Sequence, residues 1–243
     1  MSNARIAWLS PGDPVESFPP LETAMREPDG LLAAGGDLTV ERLLYAYRSG
    51  IFPWYDDGQP LLWWSPDPRC VLFPGDLHVS RRLRRTVKQS RAEVRFNQDF
   101  GQVIRACAAP RASQHDTWIT ADMITAFEQL HKEGWAHSIE VWENGELSGG
   151  VYGLAIGRVF FGESMFSRKP NASKIALLAL APYLQDGQFE LLDCQVISSH
   201  LLSLGATLIP RTAFTSELAR LCESPDRFEN WPSDPITACE LLQ

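Results

Sequence analysis

Apolar positions change their spacing several times along the chain, and each change marks an element. Leu43, Leu44 and Tyr47 recur at helical spacing behind Asp37 or Thr39, either of which can cap the helix, and Gly50 stands at its end. Ser80 introduces a second helix with Leu83 and Val87 turned inward. A cap at Asn97 starts a third through Phe100, Val103, Ile104 and Cys107, and residues 108 to 117 read as a loop. Thr120 caps a fourth, whose buried face is Met123, Ala126, Phe127 and Leu130 before Gly134. The period then falls to two. SIEVWENGELSGGVYG predicts a hairpin with Asn144-Gly145 as a type I′ turn. A second turn at Ile156-Gly157 leads into a buried strand from Arg158 that stops at Gly162 and presents Glu163 at its end.

Asn171 or Ser173 then caps an apolar helix from Ile175 to about Tyr183, which Pro182 kinks or ends. FELLDCQV is a buried strand that places Asp193 and Gln195 on one face. A short helix near Ser198 and a last strand in LGATLIPR follow. Residues 1 to 36, rich in Pro and Gly, and the tail after Cys222, with Pro225, Pro232 and Pro235, read as irregular. Together these elements predict an α+β fold with a mixed, mostly antiparallel sheet. Pro66 and Pro68 form a stiff connector. It divides the chain into a small N-terminal domain, residues 1–67, and a larger one, residues 68–243. The small domain carries an aromatic loop with Trp54, Trp63 and Trp64.

Composition narrows the function classes. With 243 residues, 44% hydrophobic and 21% charged, the chain reads as a soluble globular protein. No apolar run is long enough for a membrane span, and the first residues have no signal-peptide core, so a cytoplasmic location is expected. Five widely spaced cysteines without a CxxC pair predict reduced thiols and no zinc site. The net charge of -8 argues against general nucleic-acid coating. Yet Arg81, Arg82, Arg84, Arg85, Lys88 and Arg91 crowd into one stretch that holds no acid. That stretch is either a localised polyanion contact or a solvated helix face.

The glycines Gly149, Gly150, Gly153 and Gly157 lie within strands, so they suggest bulges or close approach, not a phosphate loop. Three polar groups stand in apolar surroundings: Glu163, Asp193 and Gln195. Such a set can orient an amine or steer a proton, or it can be turn and capping acids facing solvent. No nucleophile elbow and no Cys–His pair appears in the sequence. Any reaction would then be direct transfer between bound substrates, favoured mainly by proximity.

Several segments together resemble the leucyl/phenylalanyl-tRNA–protein transferase family of bacteria. They are REPDGLLAAGGDLTVERLLYAYRSGIFPWY, WWSPDPR, LHVSR with its basic run, TWIT, HSIEVW, GGVYG, FFGESMFSR with NASK, LLDCQV and SLGATLIPR. The resemblance implies transfer of Leu or Phe, and Met less well, from aminoacyl-tRNA to the α-amine of proteins beginning with Arg or Lys. The product is an N-degron for proteolysis. It implies a catalytic domain like the GCN5-related N-acetyltransferases, no metal and no cofactor, and we expect a monomer. An acyl-CoA N-acyltransferase and a tRNA- or peptide-binding module are the competing classes.

The same resemblance implies roles for particular residues. Trp54 and Trp118 would hold the aminoacyl end of the tRNA. Phe160, Val151 and Met165, with Leu180 nearby, would form the apolar side-chain pocket. Val151 stands where the family pattern has Met, and Leu180 where an aromatic is expected. Asp193 and Gln195 would bind the acceptor amine and ease its deprotonation, Asp193 being either base or electrostatic anchor, while Glu163 positions an amine. Arg81, Arg84, Arg85 and Lys88 would contact tRNA, and Gln89 departs from the pattern where a cation is expected.

Overall fold

A computed structural model of the chain describes residues 6–110, 118–180, 182, 188–224 and 226–242. Two sheets organise it. The small one has β1 (Ala7–Leu9), β2 (Leu31–Gly35), β3 (Phe52–Pro53) and β4 (Leu62–Trp64) in the order β1-β2-β4-β3, with helix α1 (Val40–Arg48) between β2 and β3. The large sheet contains β5 (Arg69–Leu72), β6 (Glu93–Phe96), β7 (Ala136–Glu143) and β8 (Glu146–Ile156). Its other strands are β9 (Val159–Ser167), β10 (Leu191–Gln195), β11 (Thr207–Ile209) and β12 (Ile236–Thr237). The order is β11-β5-β10-β9-β8-β7-β6-β12. Among the described pairs of this sheet only β9 and β10 run parallel, so the expectation of a mixed, mostly antiparallel sheet holds.

Among the described residues further helices flank the sheet: α2 (Arg81–Gln89), α3 (Phe100–Ala108), α4 (Ala121–Lys132), α5 (Ala172–Leu178), α6 (Ser199–Leu202) and α7 (Arg211–Leu221). One buried cluster joins Tyr152, Leu154 and Phe161 of the large sheet to α1, α3, α4, α7 and Trp63 of the small sheet. A second joins Val151, Phe160 and Leu192 to α2 and α5. Strand alternation divides the large sheet's side chains between these two layers.

Local chemistry explains most of the boundaries. Ser80 and Thr120 accept from the amides of Leu83 and Met123 and cap α2 and α4. Thr39 caps α1, whereas Asp37 binds the Arg42 guanidinium at 3.1 Å. Asn144 and Gly145 adopt the positive φ angles that a type I′ turn needs. Gly149 lets α5 lie against the sheet, since a Cβ there would stand 2.4 Å from Ala172 Cβ.

Several expectations need correction. Residues 1–36 are not wholly irregular: the apolar run from Leu31 pairs with β1 and β4. The cap of α3 is Asp99, because residues 93–96 form β6 and Asn97 makes a left-handed turn out of it. Strand β9 does not stop at Gly162 but continues to Ser167. Periodicity predicts no element over 211–221 and an irregular tail after Cys222. Phe214, Leu218 and Leu221 instead form the buried stripe of α7, and β12 pairs with β6. Helix α5 begins earlier, at Ala172, and ends at Leu178; its cap comes from Ser167 Oγ, which accepts from the Ser173 amide at 2.9 Å. Tyr183, Pro225 and the loop residues 111–117 lie outside the described residues.

Candidate active site

Two bulges in neighbouring strands build the site. Across β8 and β9, Tyr152 faces Ser164 and Gly153 faces Gly162, which leaves Glu163 as the extra residue. Gly153 permits this crossing, since a Cβ there would lie 2.1 Å from the Phe161 carbonyl oxygen. Across β10 and β5, Asp193 faces Val71 and Gln195 faces Cys70, so Cys194 is the extra residue. Bulges re-aim side chains beside functional sites. Here they turn Glu163 and Gln195 toward each other, and Gln195 Nε2 donates to Glu163 Oε1 at 2.5 Å. Gln195 has a φ of 59°, and its amide donates to Asp193 Oδ1 at 2.9 Å.

Asp193 is fully buried, and Arg69 accounts for that. Arg69 Nε and Nη2 donate to its two oxygens at 2.9 and 2.7 Å, a bidentate pair. The guanidinium lies over the rings of Phe52 and Phe214, with centroids at 4.6 and 4.7 Å. Its remaining nitrogen donates to the Gly50 carbonyl at 3.2 Å. Arg69 thus ties the small sheet and α7 to the carboxylate that anchors Gln195. Sequence reading missed this residue. An arginine opening the otherwise apolar strand RCVL was the available signal, because a buried cation needs a buried acid.

Glu163 has no such partner. It is buried, and Oε2 has no neighbour in hydrogen-bond geometry. Burial pushes its pKa up to about 8, and the Asp193 charge adds to the rise. Tyr47, also buried, lies close enough to favour the carboxylate charge, although its hydroxyl is not aligned for a hydrogen bond. The Tyr47 hydroxyl is in turn held well above its ordinary range, chiefly by burial and then by Glu163. The network therefore holds one arginine and two carboxyl groups; with no cation beside it the second favours its protonated form, and a cation entering the site would favour the carboxylate.

A cavity of about 500 Å³ opens beside Glu163, a volume within the range of small-molecule pockets. Of the residues expected at the site, it is lined by Trp118, Val151, Glu163, Met165 and Asp193. Trp54 stands at its rim, 39% exposed, with its ring 6.5 Å from that of Trp118. Trp64 donates its indole N–H to the Trp54 carbonyl at 2.6 Å, and Tyr55 meets the Thr120 hydroxyl at 3.0 Å. These contacts hold the aromatic loop against the start of α4. Phe160 and Leu180 are not brought to the cavity: both are fully buried in the second cluster. Leu177 of α5 lines it instead. Phe160 and Met165 belong to the same layer although five residues separate them, because the bulge at Glu163 resets the strand alternation.

Arg81, Arg84, Arg85 and Lys88 are all exposed on α2, whose Leu83 and Val87 are buried. None of the four makes an ion pair among the described residues. Also among the described residues, no His, Cys, Asp and Glu cluster suits a metal, and no helix is long and apolar enough to cross a membrane.

Comparison with known proteins agrees over most of the chain. Residues 71–219 match the family described as leucyl/phenylalanyl-tRNA protein transferase, and residues 36–67 match that family's N-terminal domain. A protein of that name from Pseudomonas syringae pv. syringae is 58% identical over 220 residues, 90% of this chain and 95% of that one. One from Pseudomonas fluorescens is 58% identical over 91% of this chain and 97% of its own length. Another, from Ectopseudomonas mendocina, is 59% identical over 86% and 93%.

Proposed function

The chain belongs to the leucyl/phenylalanyl-tRNA protein transferase family and is an aminoacyltransferase, and from that premise we propose how its site works. The donor is Leu or Phe, and less well Met, esterified to tRNA. The acceptor is the α-amine of a protein that begins with Arg or Lys, and the product is an N-degron. The enzyme acts as a cytoplasmic monomer with a catalytic domain of the GCN5-related N-acetyltransferase type. The mixed sheet with its parallel β9–β10 pair is consistent with that likeness.

The observation that carries the proposal is the carboxylate without a cation. Arg69 neutralises Asp193, while Glu163 borders the cavity with one oxygen open. An ammonium group is the ligand this arrangement lacks. The α-amine of a protein has an ordinary pKa of about 8. Glu163, at about 8, is matched to take its proton. Asp193 then serves as the anchor that holds Gln195, and Gln195 holds Glu163. The freed amine attacks the ester carbonyl, the tetrahedral adduct collapses, and the tRNA 3′ oxygen leaves with a proton. The ester is already activated, so bringing the two substrates together supplies much of the rate.

The donor side chain enters between Val151, Met165 and Leu177, with Trp118 and Trp54 against the terminal nucleotide. Val151 in place of a larger residue widens that space, and one methylene in such a pocket changes selectivity by about 1–3 kcal/mol. The basic face of α2 carries the tRNA backbone.

The test is incubation with Leu-tRNA charged with labelled leucine and an Arg-initiated peptide. Label should pass to the peptide, and acetylating its α-amine should abolish transfer. Transfer from an acyl-CoA but not from the charged tRNA would overturn the donor assignment.

A further inference from the structure

Five cysteines are free in this chain, and two of them meet at the site. Cys70 of β5 is fully buried and pairs in register with Gln195. Cys194 is the bulged residue between Asp193 and Gln195, partly buried, and lines the cavity. Both side chains belong to the same packed layer, and the bulge sets Cys194 beside Gln195 on the strand opposite Cys70. Neither has a part in the transfer chemistry. The two thiols influence one another, with Cys70 lowered and Cys194 raised, so the second ionisation is the harder one.

We propose that Cys70 and Cys194 form an oxidation-sensitive pair, in which a peroxide entering the cavity converts the two thiols to a disulfide that misaligns Gln195. Cys194, the thiol that meets the cavity, gives up its proton to Cys70 as its sulfur attacks one oxygen of hydrogen peroxide. The O–O bond breaks, hydroxide leaves and is protonated to water, and Cys194 becomes a sulfenic acid. The Cys70 sulfur then attacks Cys194 Sγ. The S–O bond breaks, and a second water leaves with the remaining proton. Two thiols lose two electrons in all, and one peroxide becomes two waters.

The structural consequence follows from the bulge. A disulfide draws the sulfurs to about 2.05 Å, much closer than two unbonded thiols approach. Cys194 has Asp193 and Gln195 as its chain neighbours, so the pull acts directly on the Gln195–Glu163 contact. A misplacement of about 1 Å in such a site can cost about 100-fold in rate. We expect oxidised protein to transfer at least about tenfold more slowly and to recover with dithiothreitol.

The experiment exposes the native full chain to hydrogen peroxide. Intact mass and peptide mapping follow, with transfer measured before and after dithiothreitol. The expected product is lighter by two hydrogens, carries a Cys70–Cys194 linked peptide, and regains activity on reduction. Cys70→Ala, which removes a thiol that does not line the cavity, should retain basal transfer and lose the reversible component, with Cys194 driven to irreversible oxygen adducts. Finding no such linked peptide in the oxidised wild type would overturn the proposal. So would reversible inactivation that survives in Cys70→Ala. Wild-type mapping decides even if the variant does not fold. The mass readout does not depend on transfer activity, so it stands apart from the donor and acceptor assignments on which the functional consequence rests.

Discussion

Arg69 and Arg85 are the same residue type under opposite conditions. Arg69 is buried, lies over two aromatic rings, and is bonded to both oxygens of a buried Asp193. Arg85 stands in water on α2 with other cations around it and no acid paired to it among the described residues. Burial makes the first a fixed geometric element, because its charge cannot be left unpaired. Exposure makes the second adjustable: it is screened by salt and free to follow a phosphate backbone. In the proposed function the chain uses one kind of side chain both to shape the reaction centre and to draw in a large polyanion.

The sharpest way to break this contrast is to remove the charge from each. Arg69→Met leaves Asp193 buried and uncompensated, which costs about 3–5 kcal/mol of stability. The same change at Arg85 should shift stability by less than about 0.5 kcal/mol. Urea unfolding of both variants measures the difference. Arg69→Met combined with Asp193→Leu should regain much of the lost stability while transfer stays low, because Gln195 has lost its anchor. A double variant as unstable as the single one would show that Arg69 matters for something other than the Asp193 charge.

Glu163 gives the next largest effect, with opposite signs in activity and stability. Its pKa rises from an ordinary 4.5 to about 8 on folding. Below pH 4.5 both the folded and unfolded chains hold the proton. Between 4.5 and about 8 the unfolded chain releases it and the folded one does not, so stability falls with rising pH, then levels off. A raised pKa of this size corresponds to a loss of up to about 5 kcal/mol across that window. Glu163→Gln should remove that part of the pH dependence and be more stable than wild type above pH 8, as thermal unfolding at several pH values would show. Its transfer rate should drop by about 10²–10⁴. A variant that keeps the wild-type transfer rate at saturating substrates would exclude Glu163 as the proton acceptor.

How far the sequence disclosed this site depended on the kind of interaction. Caps and turns are local: Ser80, Thr120 and Asn144-Gly145 need only near neighbours, and their elements stand where periodicity puts them. The hidden parts depend on pairing across the sheet. Gly162 resembled a strand end because a glycine in isolation says nothing about Gly153 opposite it. Glu163 is a mid-strand bulge for the same reason. Arg69 and Asp193 lie 124 residues apart, and no local pattern joins them. Phe160 is expected at the donor pocket from the family resemblance, and a matched motif does not distinguish a lining residue from one behind the wall. The Asp193–Gln195 spacing was legible, but its anchor was not. From sequence alone Asp193 is the favoured proton acceptor and Glu163 a positioning group, and the Arg69 pair is the observation that moves the proposed role to Glu163.

The exposed half of the contrast predicts the smallest effect, and it should appear in salt dependence more than in stability. Arg81→Gln with Arg85→Gln removes two cations from the face of α2 and leaves Leu83 and Val87 packed. If both arginines contact phosphates, each accounts for roughly 0.7–0.9 of the slope of log affinity against log salt. The double variant should flatten that slope by about 1.4–1.8 and weaken tRNA binding most at low salt. Phosphate contacts carry no sequence information, so Leu-tRNA and Phe-tRNA should lose affinity alike. The aminoacyl pocket is untouched, so kcat at saturating tRNA should stay near the wild-type value while the KM for tRNA rises. An unchanged slope would leave α2 as a solvated face. A fall in kcat with no change in KM would place these cations within the reach of the reaction centre and erase the division between the two kinds of arginine.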